Sequence, residues 1–373
     1  MKIVVALDKF KGSLTAARAC DIVRQALLSV RPGLSVVTKP MADGGDGTDE
    51  VLLTTLAGEW IAVSVTGPLP EMSCVARYAW LPKEATAVIA MASASGLVLL
   101  RPDQRNPLLT TTYGTGELIR AAVEHNAKRI WLAVGGSATV DGGVGAAMAL
   151  GWRFLDARGK PIGFGGGELE RIAHIERRGK LRLPQVEVLC DVDNPLCGEH
   201  CAARIFGPQK GATPAMVERL DAGLQHLGKL AGEQLGKDIA NIPGAGAAGG
   251  MAGGAVAFMD ARIASGIDTV IRASGMDAEL ADADWVITGE GRFDRQSLRG
   301  KVVSGITKLA AKHRAKVVVL AGSVQISEEI YRREGIELAL SAMKPGMELN
   351  EALERAEQLL AFAARELAAR ILS

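Results

Sequence analysis

The feature that most restricts what this chain can fold into is a repeated alternation of short apolar, β-branched runs with longer stretches of helical periodicity. Residues 3–7, 34–37, 285–288, 317–320 and 336–340 are near-continuous apolar segments that end abruptly in polar or glycine-rich residues, the pattern of strands buried on both faces. After the first of them, Ala19, Ile22, Val23, Ala26, Leu27 and Val30 recur at helical spacing, entered through Ser13 or Thr15 as N-cap and closed by Gly33 after Pro32. Strand, helix and strand in alternation predict an α/β fold with a doubly wound parallel sheet and right-handed crossovers. Five such strands suit a flavodoxin-like sheet.

Two of the five runs lie within residues 1–60 and three within 281–373, so the sheet domain is read as discontinuous, with 61–280 inserted as a second α/β domain. In the insert, residues 60–65 and 73–80 flank the turn signal Gly67-Pro68-Leu69-Pro70 and predict an antiparallel hairpin. A helix over 117–126 and strands over 129–134 and 186–190 follow, and 350–372 reads as one amphipathic helix.

Charge narrows the function. Lys+Arg number 43 and Asp+Glu 42, leaving a net charge of +1, so no global field favours nucleic acid or an anionic membrane. Five cysteines are an odd, sparse set for 373 residues, which predicts free thiols and a reducing compartment. The opening apolar run is too short for a signal-peptide core, and 244–259 is too rich in Gly and Ala to span a bilayer. A cytoplasmic protein acting on a small molecule is expected, with no nucleic acid and no membrane as partner and with a homo-oligomer admissible.

In an open parallel sheet, ligands bind beyond the carboxyl ends of the strands. Three polar clusters fall there: Asp8-Lys9-Phe10-Lys11-Gly12-Ser13, then Asp43-Gly44-Gly45-Asp46-Gly47-Thr48, then Gly289-Glu290-Gly291-Arg292-Phe293-Asp294. Any one alone reads equally well as a helix cap and a turn; three mixing acids with glycines at one edge point to a shared site. The insert adds Gly135-Gly136-Ser137-Ala138-Thr139-Val140-Asp141-Gly142-Gly143 between a strand and an Ala-rich helix. Glycines there admit backbone N–H groups to a phosphate, Ser137 and Thr139 can donate, and the helix dipole favours an anion; the plainer reading is a tight turn. Asp191-Val192-Asp193-Asn194-Pro195 after a strand could hold magnesium, accept a proton or merely turn the chain. Arg105-Asn106 and the run 110–116, with Thr111 and Thr112, suit a small hydroxy-acid or an ordinary capped loop. Asp294 with Lys301 is either an active-site pair or a surface ion pair.

Other patterns are discounted. Gly244-Ala245-Gly246-Ala247-Ala248-Gly249 matches a dinucleotide fingerprint but follows Ile242-Pro243 rather than a strand. The run 223–229 has Walker A spacing, yet Leu230 replaces the required hydroxyl residue. Cys197 and Cys201 have no second pair to complete a metal site, and the five histidines are scattered. A two-domain enzyme with a cleft rich in Asp, Gly, Lys and Arg suits phosphoryl transfer, with a hinge where the chain crosses near 60 and 280.

The ordered motifs DKFKGSL, PMADGGDGT, RNPLLTTTYGTGEL, GGSATVDGG, CDVDNPL, GAGAAGG and TGEGRFDRQSLRGK resemble the bacterial glycerate kinase family, of the glyoxylate- and glucarate-pathway class, over essentially the whole chain. Asp8-Lys9-Phe10-Lys11 stands where relatives often read Asp-Ser-Phe-Lys, and Asp46 where Glu is common. The resemblance implies ATP- and Mg2+-dependent phosphorylation of D-glycerate, at the 2-hydroxyl to give 2-phosphoglycerate. It also implies a discontinuous flavodoxin-like domain and an inserted domain likened to a restriction-endonuclease core. Carried onto this sequence, it makes Asp191 or Asp43 the base, with Lys11 and Arg292 neutralising carboxylate or phosphate charge. Gly135, Gly136, Ser137, Thr139, Asp141, Gly142, Gly289 and Glu290 would contact ATP; Lys9, Ser13, Asp46, Arg105, Thr111 and Thr112 would contact substrate; Asp193, Asp46 or Glu290 would hold magnesium. Transfer to the 3-hydroxyl, an NAD-dependent hydroxy-acid dehydrogenase and a non-catalytic anion-binding protein are the alternatives.

Overall fold

The computed structural model describes residues 1–179 and 181–372. The chain forms two compact units. The first comprises Met1–Asp43, Glu50–Leu56 and Ser265–Ser373; the second comprises Gly44–Asp49 and Ala57–Ala264. The seams therefore fall near residues 43–57 and 265, and helices Gly266–Ser274 and Met276–Leu280 belong to the first unit.

In the first unit, strands Lys2–Leu7, Ser35–Thr38, Trp285–Gly289, Lys316–Ala321 and Ile336–Ser341 form one sheet in which every neighbouring pair is parallel. Counted along the chain its order is 2-1-3-4-5, the doubly wound order of flavodoxin-like sheets. Ile3, Val5, Leu7, Ile287, Val318 and Leu320 bury one face against helices Ala16–Val30 and Ala356–Ile371, and helix Val302–His313 packs on the sheet as well. Thr15, not Ser13, caps the first helix: its side chain accepts from the Arg18 N–H at 3.2 Å. Ser13 instead donates to the Phe10 carbonyl at 3.1 Å inside the preceding turn. The expected single C-terminal helix is two, Leu349–Glu354 and Ala356–Ile371, broken where Arg355 leaves helical geometry at φ −103° and ψ 14°.

The second unit carries a six-stranded mixed sheet. Its order runs Arg262–Ala264, Gln185–Leu189, Arg129–Ala133, Thr86–Ala90, Ser73–Leu81 and Glu59–Thr66. The first four are parallel, and the last two form the expected hairpin, closed by Gly67 N–H to the Met72 carbonyl at 2.8 Å. Helix Pro214–Leu235 contains the whole 223–229 run, so its Walker-like spacing is an accident of helical sequence. No strand introduces the dinucleotide-like motif, which enters helix Ala247–Met259 through a turn. At Ala248, Gly249 and Gly250 the backbone is left-handed (φ 54°, 69° and 87°), kinking that helix. The kink lets the Gly249 carbonyl accept from Gly142 N–H at 3.0 Å. A Cβ at Gly249 would overlap the Thr139 carbonyl. The glycines thus support the 135–143 loop backbone to backbone.

All five cysteines are free thiols, and among the described residues no helix is long and apolar enough to cross a membrane.

Two glycine substitutions separate these roles. Gly249→Ala combines a left-handed φ with a backbone clash, and a loss of more than about 2 kcal/mol is expected. Gly232→Ala lies in helix Pro214–Leu235 with nothing within 4 Å of its Cβ and should add ~0.5–1 kcal/mol. Denaturant unfolding of both variants measures the contrast.

Candidate active site

In the five-stranded sheet the chain leaves the first strand toward the second on one side and returns to the third on the other, so the topological switch point lies between Lys2–Leu7 and Trp285–Gly289. Leu7 stands in register with Gly289, which brings the next residues, Asp8 and Glu290, out side by side at the carboxyl edge. The Asp8 N–H donates to the Gly289 carbonyl at 2.9 Å, and its carboxylate accepts from the Lys9 N–H at 2.6 Å. Desolvation first, then the nearby Asp43 carboxylate, push the Asp8 pKa up to about 8, with Glu290 adding to the effect. Glu290 is also raised, by burial above all, against the opposing pull of a Ser297 hydrogen bond and the Lys301 charge. Its Oε1 is buried without a hydrogen-bond partner.

Asp8 and Glu290 offer two neighbouring carboxylates, one with an unpartnered oxygen, although among the described residues no group of three or more His, Cys, Asp or Glu side chains gathers as a metal site. Magnesium fits these residues chemically, since it takes one or two carboxylates and completes its shell with water and phosphate.

In the second unit, Ala90, Ala133, Leu189 and Ala264 end adjacent parallel strands in mutual register. The 135–143 loop and the Asp191 segment therefore leave the same sheet edge from neighbouring strands. Gly136, Gly142 and Gly143 are left-handed at φ 72°, 62° and 74°. Leu97 N–H donates to the Gly136 carbonyl at 2.8 Å and Ala138 N–H to the Ser95 carbonyl at 2.9 Å, tying the loop to the 95–97 segment.

Two buried charged residues organise the loop from behind. Asp141 is 1% exposed; it accepts from Thr112 N–H at 2.8 Å, Thr112 Oγ1 at 2.9 Å, Gly143 N–H at 3.1 Å and Gly145 N–H at 3.3 Å. Burial raises its pKa and these donors oppose the rise. Lys210 is 2% exposed, and its Nζ donates to Ser137 Oγ and to the Thr139 carbonyl, both at 2.8 Å. Burial pushes this lysine down to about 7, against the attraction of Asp141.

The comparisons with known proteins agree with one another. A family model described as the glycerate kinase family matches residues 3–372. The chain belongs to the glycerate kinase family. It is 43% identical to a glycerate kinase of Bacillus subtilis, covering 100% of this chain and 98% of that one. It is 41% identical to the glycerate 2-kinase of Escherichia coli K12, at 99% and 97% coverage. A crystal structure titled as a glycerate kinase 2, from Salmonella typhimurium LT2, superposes with a TM-score of 0.86 at 41% identity, covering 100% of this chain and 98% of that one.

For this glycerate kinase family chain, the sequence-predicted residues separate by surroundings. Asp43 and Glu290 join Asp8 in the first unit, with Lys9 half-buried beside Asp8 and Lys11 exposed. Arg292 is exposed and ion-pairs with Asp294 at 3.0 Å; Lys301 acts on Glu290 rather than pairing with Asp294. In the second unit Gly136 is exposed and Gly135 half-buried, as a ligand-facing loop requires, whereas Asp46 and Asp193 are exposed and Asp191 is half-buried. Arg105 is half-buried, with Nε enclosed and unpartnered.

Ser137, Thr139, Asp141, Gly142 and Gly289, and likewise Thr111 and Thr112, all expected as ligand contacts, lie instead in the interior. The reason is electrostatic: the first amides of the six-residue helix Val144–Ala149 are taken by Asp141 and Thr112, since Ala146 N–H donates to Thr112 Oγ1 at 2.9 Å. The helix end expected to draw phosphate already holds a carboxylate. Two charged groups escaped the sequence reading as individual site residues, Asp8 and Lys210. Asp8 was visible only as the first member of a polar cluster, and Lys210 in Pro-Gln-Lys-Gly looks like a surface turn.

The depressed Lys210 pKa has a sign that can be measured. An unfolded chain holds this proton up to its ordinary value of 10.5, whereas the folded one releases it near 7, so burial of Lys210 penalises folding most below pH 7 and progressively less toward pH 10. The difference in melting temperature, Lys210→Met minus wild type, should therefore fall as pH rises from 7 to 9. Thermal unfolding at several pH values checks it, and a difference that is flat in pH rejects the depressed lysine.

Proposed function

We propose that this chain transfers the γ-phosphoryl group of ATP to the 2-hydroxyl of D-glycerate, giving 2-phosphoglycerate and ADP. Membership of the glycerate kinase family over residues 3–372 carries the reading, and relatives named glycerate kinase and glycerate 2-kinase support it. Little covalent chemistry is required of the protein in such a transfer; it must position, neutralise charge and accept one proton.

In the second unit, the exposed Gly136, with φ at 72°, and the half-buried Gly135 are assigned to ATP phosphate oxygens, while Ser137 is buried with its Oγ accepting from Lys210. Asp191, at the carboxyl end of strand Gln185–Leu189, is assigned the hydroxyl proton. As the hydroxyl oxygen forms its bond to phosphorus, the bond to ADP breaks and the proton passes to this carboxylate. Arg105 is assigned the glycerate carboxylate, which an arginine fork can grip through two oxygens.

In the first unit, Asp8 and Glu290 are the two carboxylates assigned to Mg2+, and Lys9 and Lys11 are assigned to substrate oxygens. When bound, the metal would neutralise charge on the phosphoryl oxygens. Asp43, whose charge raises both Asp8 and Glu290, is assigned to this carboxylate cluster rather than the proton-accepting role.

Incubation with ATP, Mg2+ and D-glycerate should release ADP, and the product should be consumed by enolase alone. Signal that appears only after phosphoglycerate mutase is added means transfer to the 3-hydroxyl, and no ADP in either arm rejects the kinase reading. Asp191→Asn should lower kcat by about 10²- to 10⁴-fold with an unchanged melting curve. Turnover near wild type removes Asp191 from the proton-accepting role.

A further inference from the structure

The glycine run 244–250 is a motif that the reaction above does not use. It belongs to the second unit, and its backbone meets both loops that leave the carboxyl edge of that unit's sheet. Its second half seats the 135–143 loop, through the Gly249 carbonyl and the close approach of Gly249 to Thr139. Its first half seats the segment that follows Asp191. Gly246 N–H donates to the Asn194 carbonyl at 3.0 Å, and a Cβ on Gly246 would overlap the Pro195 carbonyl. Gly244, left-handed at φ 82°, lies so close to the Val192 carbonyl that a Cβ would stand 2.9 Å from it. The two halves are joined, since Gly250 N–H donates to the Gly246 carbonyl at 3.0 Å.

The sheet alone does not fix these loops relative to each other. Ala133 and Leu189 end neighbouring strands in register, but beyond them each path depends on what it packs against. Asp191 stands just past Leu189, held on the strand side by Cys190 N–H to the Ala264 carbonyl at 2.9 Å and on the far side by the seated Val192–Pro195 turn. Asn194 has a second tie, its Nδ2 donating to the His200 carbonyl at 2.8 Å. Leu196, fully buried, closes the segment against Gly228, Gly250 and Gly253, each of which would crowd it with a Cβ. Gly246 itself has φ −74° and ψ −13°, ordinary helical backbone open to any residue. Position 246 therefore requires not glycine's conformational freedom but the absence of a Cβ.

We propose that Gly246 is a positioning residue: by admitting the Asn194–Pro195 backbone to direct contact, it sets where the Asp191 carboxylate stands relative to the Gly135–Gly136 bend. The inference rests on Asp191 accepting the hydroxyl proton and on that bend receiving ATP phosphate. Transfer to a hydroxyl tolerates little error in the place of its proton acceptor, and a displacement of ~1 Å costs on the order of 10²-fold in rate. A methyl group at 246 must push the Asn194–Pro195 backbone away, and Asp191 moves with it. The 135–143 loop keeps its own contacts to Gly249, so the chemical step is impaired while nucleotide binding is spared.

Gly246→Ala in the full chain tests this by kinetics, ADP titration and a double-variant cycle. It should lower kcat by about 10- to 100-fold while binding ADP at full stoichiometry and within about threefold of the wild-type Kd. In an Asp191→Asn background the same substitution should change kcat by less than about threefold, because the carboxylate through which it acts is already gone. Equal losses in the two backgrounds, the behaviour of a general structural defect, overturn the proposal; so does wild-type kcat in Gly246→Ala, or ADP binding weakened more than about tenfold. If Gly246→Ala does not fold, Asn194→Ala loosens the same segment by its other tie and carries the same cycle, with the same outcomes for and against. Asp191→Asn alone separates this from the underlying reading. If its turnover is near wild type, Asp191 is not the proton acceptor and both fall; if it is impaired while Gly246→Ala is not, only the role of Gly246 falls.

Discussion

Backbone packed directly on backbone, with no side chain between, is the constraint on which the second unit depends. The 135–143 loop is seated on the kinked start of helix Ala247–Met259, where Gly249 approaches Thr139 and its carbonyl receives the Gly142 amide. Such contact leaves many polar groups away from water, and each must be satisfied internally. Asp141 does this for the loop's second half and Lys210 for its first. The glycines permit the approach, and the two charged side chains fix its shape. A loop held in this way loses little entropy on binding an anion, which is the physical content of a preorganised site.

The sheet of the first unit was legible because strands buried on both faces must be continuously apolar, and runs such as 3–7 and 317–320 combine that character with strand length and β-branched residues. The loop was legible for a related reason: closely spaced glycines around hydroxyl residues serve positive φ, and Gly136, Gly142 and Gly143 adopt it. Asp141 defeated the same reading. A carboxylate among glycines looks alike whether it faces a ligand or its own backbone, and only the fold reveals that Thr112 and two amides reach it first. Lys210 left no local trace, because its partners are about seventy residues away in sequence. The break at Arg355 was hidden for the opposite reason: the apolar periodicity runs through it unchanged.

The two units place opposite electrostatic problems at the carboxyl edges of their parallel strands. The first collects negative charge, until Asp8 keeps its proton to about pH 8. The second encloses an amine that gives up its proton near pH 7. In each case the unliganded protein lowers its energy by discarding charge rather than by pairing it, so neither group is stabilised by the fold in the form that would meet a ligand. A carboxylate cluster so disposed gains by accepting a cation. A chain whose net charge is only +1 has no global field with which to recruit a metal nucleotide.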